Sequence, residues 1–248
     1  MLKRFLVLLP LLATGSAGGA EPLRIGVLED RQLAEPTQQV LSEAYSRAGY
    51  RVQFLPLPLR RAAMMLKQGQ LDGDFMRTQA FFDANPELLS VKVPMRNLTF
   101  WVHGKPPCAR STGVEELARS RVAYQTGVVA VEVLLPESAR LAAATPSDLL
   151  QRVRMGDASY SVMAMTPGMV TAVERRYADL CRVRLPLFTV NLYHALAAHQ
   201  APLLPALEAA FGSMQRDGSL ARIWADNEPR LEDWAADPLA ARPTQARR

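Results

Sequence analysis

Two stretches of the chain share one grammar: "LKQGQLDGDFMRT" from Leu66 to Thr78, and "RVRMGDASYSVMAMT" from Arg152 to Thr166. Each closes an amphipathic helix at a glycine, takes a short polar step and enters an apolar strand that ends in threonine. Glycine supplies the left-handed turn that stops a helix, and a strand following so soon returns beside an earlier one. The surroundings of the first copy extend the rhythm. "LRIGVLED" is a strand, and "EPTQQVLSEAYSRAGY" is a helix with Pro36 near its start and Gly49 near its end. "RVQFLPLP" is a second strand, and in "LRRAAMMLKQG" Leu59, Ala62, Ala63 and Leu66 recur at helical spacing before Gly69. Strand, helix, strand, helix, strand predicts a parallel sheet covered by helices.

The rhythm resumes after a break at "HGKPPCARSTG", rich in proline, glycine and small polar residues. Thr112 and Glu115 are spaced as a capping box before "VEELARS". "RVAYQ" is a strand and "TGVVAVEVLLP" opens a helix. "TPSDLLQRVRMG" has Thr145 as cap, Pro146 at the first helical position and Gly156 as stop. "LFTVNLYHALAAH" then reads as a returning strand pair, followed by two helices parted at Asp217-Gly218. The expected fold class is α/β, two Rossmann-like lobes joined by a hinge of two crossings. Lobe 1 is 21–103 plus 190–234, lobe 2 is 104–189, and 235–248 is a loose tail without an apolar period.

The first 20 residues carry a basic pair, Lys3 and Arg4, an apolar run from Phe5 to Leu12 and small residues to Ala20. That pattern predicts a secretory signal peptide over 1–20 and a soluble exported chain from Glu21 on. Without Lys3 and Arg4, 27 of the 29 basic residues face 24 acidic ones, a balance that does not point to nucleic acid. Export also bears on Cys108 and Cys181: an oxidising compartment favours a disulfide over two buried thiols. Such a bridge would close a loop of about 74 residues and stabilise by at most roughly 4 kcal/mol.

Taken in order, "LRIGVLED", "LKQGQLDGDFMRT", "VEELARSRVAYQTGVVAVEVLL", "ATPSDLLQRVRMG" and "LPALEAAFGSMQRDGSLARIW" resemble the type 2 periplasmic solute-binding proteins, specifically solute-binding protein family 3. Its usual members deliver polar amino acids to ABC transporters. The resemblance implies a periplasmic monomer whose lobes close on a small molecule and whose partner is an ABC transporter permease or a membrane receptor. It places Arg77 at the cleft, where a planar guanidinium suits a ligand carboxylate; a surface ion pair is the other reading. Gln125, Thr126 and Gly127 would form the opposite wall at a helix start whose free N–H groups suit an anion, although Thr126 would equally serve as a plain helix cap.

Further candidates are Glu29, beside Asp30 at the end of the first strand, as an acid for a ligand amine or a solvated loop residue; Arg60, which with Arg61 begins the second helix; and Thr166 at the end of the second-lobe strand. Arg96, Trp101, Tyr124 and Tyr193 either line the pocket or pack the hinge. Two departures from the family argue against an ordinary α-amino acid. "LEDRQLAEPTQQ" lacks the aromatic-proline step that stacks on such ligands, and "SYSVMAMTPG" has no acid for their ammonium. A small carboxylate-bearing molecule is the expected guest.

Dehydratases are known on the fold that the resemblance implies, but nothing here is arranged as an active site. His103, His194 and His199 are scattered, and no metal, nucleophile or phosphate-loop motif occurs. A binding protein without cofactor or metal is therefore expected, with Met64, Met65, Met163 and Met165 as core filler.

Overall fold

The computed structural model describes residues 21–232. The expected signal peptide, 1–20, and the tail from 235 lie outside the described residues. In chain order the strands are β1 (Leu23–Val27), β2 (Val52–Pro56), β3 (Gly73–Thr78), β4 (Leu89–Ser90), β5 (Arg96–Gly104), β6 (Val122–Gln125), β7 (Arg140–Ala143), β8 (Tyr160–Met165), β9 (Cys181–Arg182) and β10 (Phe188–Leu196). The helices are α1 (Arg31–Arg47), α2 (Leu59–Lys67), α3 (Gln79–Asp83), α4 (Val114–Ala118), α5 (Val129–Glu132), α6 (Pro146–Met155), α7 (Pro167–Arg176), α8 (Leu204–Arg216) and α9 (Ser219–Glu232).

The strands join in the order β2-β1-β3-β10-β5-β8-β6-β7, with β4 on β10 and β9 on β5. Parallel β1, β2 and β3 form one lobe, and parallel β6, β7 and β8 the other. The two crossings are β5 and β10, paired antiparallel from Arg96↔Leu192 to Phe100↔Phe188. The end of β10 continues onto β3, and β5 continues onto β8. One hydrogen-bonded ribbon thus belongs to both lobes and forms the hinge.

Each lobe has its own core. In lobe 1, α1, α8 and α9 bury Leu41, Tyr45, Leu207 and Phe211 against Ile25; in lobe 2, α6 and α7 bury Leu149, Val153 and Met169 against Met163. Burying one such side chain stabilises by about 1.5–3 kcal/mol. α9 packs against α1 of lobe 1 and α7 of lobe 2, spanning the junction. Cys108 and Cys181 are joined, so the bridge encloses the chain from α4 to α7.

The punctuation read from the sequence is present at α6: Thr145 accepts from the Asp148 N–H, and Gly156 takes φ +88°. Elsewhere the structure corrects the expectations. The helix over "TGVVAVEVLLP" is the single turn α5, because four valines between 128 and 133 are stiff at χ1 and Pro136 stops propagation. The capping box fails, since α4 begins after Gly113 and leaves the buried Thr112 hydroxyl without a partner. The returning strand pair is one nine-residue strand, β10. Met163 and Met165 are buried, but Met64 is half exposed rather than core.

Candidate functional site

A cavity of about 160 Å³ lies where the lobes and the hinge meet. Leu59, Arg77 and Phe81 face it from lobe 1, Gln125, Gly127 and Thr166 from lobe 2, and the hinge strands contribute Leu98, Phe100 and Leu192. Phe100 stacks on Phe188 at 4.5 Å, which stiffens the ribbon below the cavity.

Arg77 reaches the cavity wall through an irregularity in β3. Opposite β10, Tyr193 faces Arg77 and Ala195 faces Asp74, so β3 spends three residue steps where its partner spends two. In a regular strand, positions three apart point to opposite faces. The extra residue of this bulge cancels the alternation. Asp74 and Arg77 therefore meet: Nε and Nη2 donate to Asp74 Oδ2 at 2.8 and 2.5 Å, and Nη2 also donates to the Leu59 carbonyl at 2.8 Å. The guanidinium lies 4.5 Å over the Phe81 ring. Arg77 is 4% exposed and Asp74 fully buried. Removing one partner from such a pair costs about 3–5 kcal/mol, because the other charge is left buried alone. Beneath them His194 bonds the Tyr45 hydroxyl at 2.8 Å, and burial pushes the imidazole pKa down to about 4.

On the opposite wall the chain also answers its own donors. The Gly127 N–H donates to Glu132 Oε1 at 3.0 Å, so α5 caps itself with its last residue. Gly127 has φ +89°, and a Cβ there would meet Leu59 Cβ at 3.0 Å and the Arg60 nitrogen at 3.1 Å. Only glycine allows the lobes this approach. Thr126 turns its hydroxyl to the Ala143 carbonyl at 3.3 Å, and Gln125 Nε2 points to Ala144 O at 3.5 Å.

At the start of α7, Thr166 Oγ1 accepts from the Met169 N–H. Glu228, from α9, accepts from the Gly168 N–H and from Arg96 Nη2, both at 2.6 Å. Burial acts to raise the Glu228 carboxyl pKa, but hydrogen bonds from Thr166, Gly168 and Arg96 outweigh it and hold the group below the usual carboxylate range. Arg96 also lies 4.5 Å over Trp224, whose Nε1 donates to the Met95 carbonyl.

Of the residues picked from the sequence, Arg77, Gln125, Gly127 and Thr166 line the cavity, as does Arg96. Thr126 sits beside it with its hydroxyl turned away. Glu29 and Arg60 are exposed and off the lining, and Asp30 is the N-cap of α1. Tyr124 packs in lobe 2, and Trp101 of β5 packs against the lobe 2 core under the Arg182 guanidinium at 4.0 Å. The sequence reading missed Thr37, Asp74, Trp224 and Glu228. Asp74 had a signal in its closeness to Arg77, masked by strand parity; the others come from remote helices.

This architecture, two α/β lobes hinged by two strands around a partly open cavity, is the fold of the type 2 periplasmic binding proteins. The chain is similar to a histidine kinase sensor domain with similarity to periplasmic binding proteins, at TM-score 0.72 and 18% identity over 84% of this chain and 96% of that one. It is also similar to an ancestral arginine-binding protein bound to glutamine (TM-score 0.68, 15% identity, 84% and 98% coverage). A third similar structure is an ancestral amino-acid-binding protein that is a precursor of cyclohexadienyl dehydratase (TM-score 0.65, 18% identity, 83% and 94% coverage). No protein-family model and no curated protein matches the sequence. Among the described residues no helix is long and apolar enough to cross a membrane.

Proposed function

We propose that this chain is an exported periplasmic solute-binding protein that captures one small molecule between its lobes and presents the closed form to a membrane partner, an ABC transporter permease. The observation that carries the reading is the cavity itself, whose wall is shared by both lobes and the hinge. A guest there touches every moving part, so its binding energy favours the closed arrangement. On this reading 21–103 and 190–232 move against 104–189 about β5 and β10. The reading is of a binding protein rather than an enzyme.

The likeness to a histidine kinase sensor domain favours one second reading, in which the closed form is read by a membrane receptor and nothing is transported. The carboxylate guest expected from Arg77 is disfavoured by the Asp74 pairing.

The test is a thermal-shift screen of a chemically broad solute collection. A guest at 100 times its dissociation constant adds about 2.7 kcal/mol to stability. Hits are expected to vanish in Ala164→Phe, which fills the cavity from β8. A collection without hits, or hits that persist in that variant, would sink the proposal. For any hit, dependence of its cellular uptake on this protein separates transport from sensing.

A further inference from the structure

We infer that the guest of the interlobe cavity is uncharged and largely apolar, a ring-sized molecule with one hydrogen-bonding group that meets the Thr37 hydroxyl, and is neither an amino acid nor a carboxylate; the inference rests on the solute-binding reading above. The charges on the wall are already answered. Arg77 holds Asp74 in a pair sealed from solvent, 4% and 0% exposed. A guest carboxylate on this guanidinium would sit beside the Asp74 carboxylate, two like charges in one buried place. Arg96, the other cation on the wall, is held between Glu228 and the Trp224 ring. No acidic side chain lines the cavity among the described residues, so a guest ammonium would lack a counter-ion.

Several backbone donors beside the cavity are also engaged: the Gly127, Gly168 and Met169 amides go to Glu132, Glu228 and Thr166 of this same chain. What remains of the wall is aliphatic and aromatic, with Leu33, Phe75, Phe81, Leu98, Phe100 and Met163 prominent. Such a surface favours a guest that brings apolar area and few polar groups. At about 160 Å³ the space is close to that of an apolar cavity known to admit one benzene ring.

One fully buried polar group on the wall has no hydrogen-bond partner. Thr37 lines the cavity from α1, is fully buried, and its Oγ1 has no hydrogen-bond partner. A threonine inside a helix ordinarily bonds back to the carbonyl one turn earlier; this one does not. A buried hydroxyl left unmade is costly, and a guest hydroxyl, carbonyl or ring N–H relieves it.

The test uses charge-matched pairs on the whole protein, read by titration calorimetry: benzyl alcohol against benzoate, and indole against indole-3-acetate, with toluene, L-phenylalanine and L-arginine alongside. The neutral members are expected to bind, and the charged ones at least tenfold more weakly. Thr37→Val, which removes an unpaired hydroxyl and keeps the shape, is expected to weaken benzyl alcohol by up to about tenfold and leave toluene unchanged. Ala164→Phe abolishes both; Leu98→Trp fills the same space from the hinge if that variant does not fold.

Charged members binding as tightly as their neutral partners, with loss in Ala164→Phe, would overturn the inference and leave the carrier reading standing. Neutral binding that survives cavity filling, or a benzyl alcohol affinity indifferent to Thr37→Val, also overturns it. A panel in which nothing binds overturns it as well, while the broader screen decides the carrier reading.

Discussion

On the lobe 1 side of the cavity, Arg77 meets an acid three residues earlier in its own strand, and that acid is fully buried. On the lobe 2 side, the Gly168 amide meets an acid sixty residues further on, carried in by α9 and partly open to solvent. Both walls end without a free charge, but the first pairing is internal to one lobe whereas the second ties a lobe to the helix that spans the junction. The first should therefore behave as part of the core, the second as a clasp. Asp74→Asn tests the first half and carries the largest expected effect, a loss of about 3–5 kcal/mol in denaturant unfolding, because Arg77 is left buried without its counter-charge. Asp74→Asn combined with Arg77→Met should recover most of it. A double variant as unstable as the single one would show that the pair does more than cancel itself.

Lobe 2 has a stabiliser that lobe 1 lacks. The bridge between Cys108 and Cys181, separated by 73 positions, encloses α4 to α7 and leaves lobe 1 outside. Replacing both cysteines by alanine should cost up to about 4 kcal/mol, with faster amide exchange in β6, β7 and α6 and little change in β1 to β3. Uniform acceleration across both lobes would mean that they unfold as one unit.

Acid gives a more even comparison, since each hinge strand buries one neutral histidine at the end that joins a lobe. Burial pushes His194, where β10 runs on β3 of lobe 1, down to about 4; burial and then the nearby Arg182 charge push His103, where β5 runs on β8 of lobe 2, down to about 4. In the unfolded chain both titrate near 6.5, so between those values the unfolded state binds more protons. Stability is then fully present above about pH 6.5 and falls on acidification to about pH 4, by about 3 kcal/mol for each histidine. His103→Met should remove about half of that dependence at little cost at pH 7, because both ring nitrogens lack partners. His194→Met should be costly at every pH, since it breaks the bond to Tyr45. Equal costs at pH 7 would refute the distinction.

The fold was legible where the chain announces itself locally. The glycines after α1, α2 and α6 take positive φ, and the strand-helix alternation needs only nearest neighbours in sequence. Cys108 and Cys181 were legible through compartment chemistry. The site was legible only as positions. Arg77, Gln125, Gly127 and Thr166 were placed by their spots at strand ends, but what each bonds depends on partners that periodicity hides. Strand parity puts Asp74 on the wrong face, and only the bulge opposite β10 reverses that. Glu228 gives no sign, from its place on a C-terminal helix, of a role at α7. Thr37 reads as an ordinary polar helix residue until tertiary packing buries it.

The clasp carries the smallest expected effect and separates the walls most sharply. In Glu228→Gln the amide oxygen still accepts from Gly168, but the amide nitrogen replaces the oxygen that accepts from Arg96, so the loss is that hydrogen bond and the charge near the start of α7, about 1–2 kcal/mol at pH 7. The Glu228 carboxyl is held below the usual range in the folded protein, so its contribution is complete above about pH 4.3, where the unfolded group ionises, and is lost as pH falls through its lower folded value. The stability gap between wild type and variant should close below about pH 4. Amide exchange should quicken at 168–170 and leave β3 unchanged, the reverse of Asp74→Asn. The variant also frees Arg96 on the cavity wall, so benzoate, excluded from the native protein, should gain affinity while benzyl alcohol changes little. If the gap persists in acid, or β3 loosens along with α7, the two walls are one cooperative network and the acid from α9 is as much core as the acid from β3.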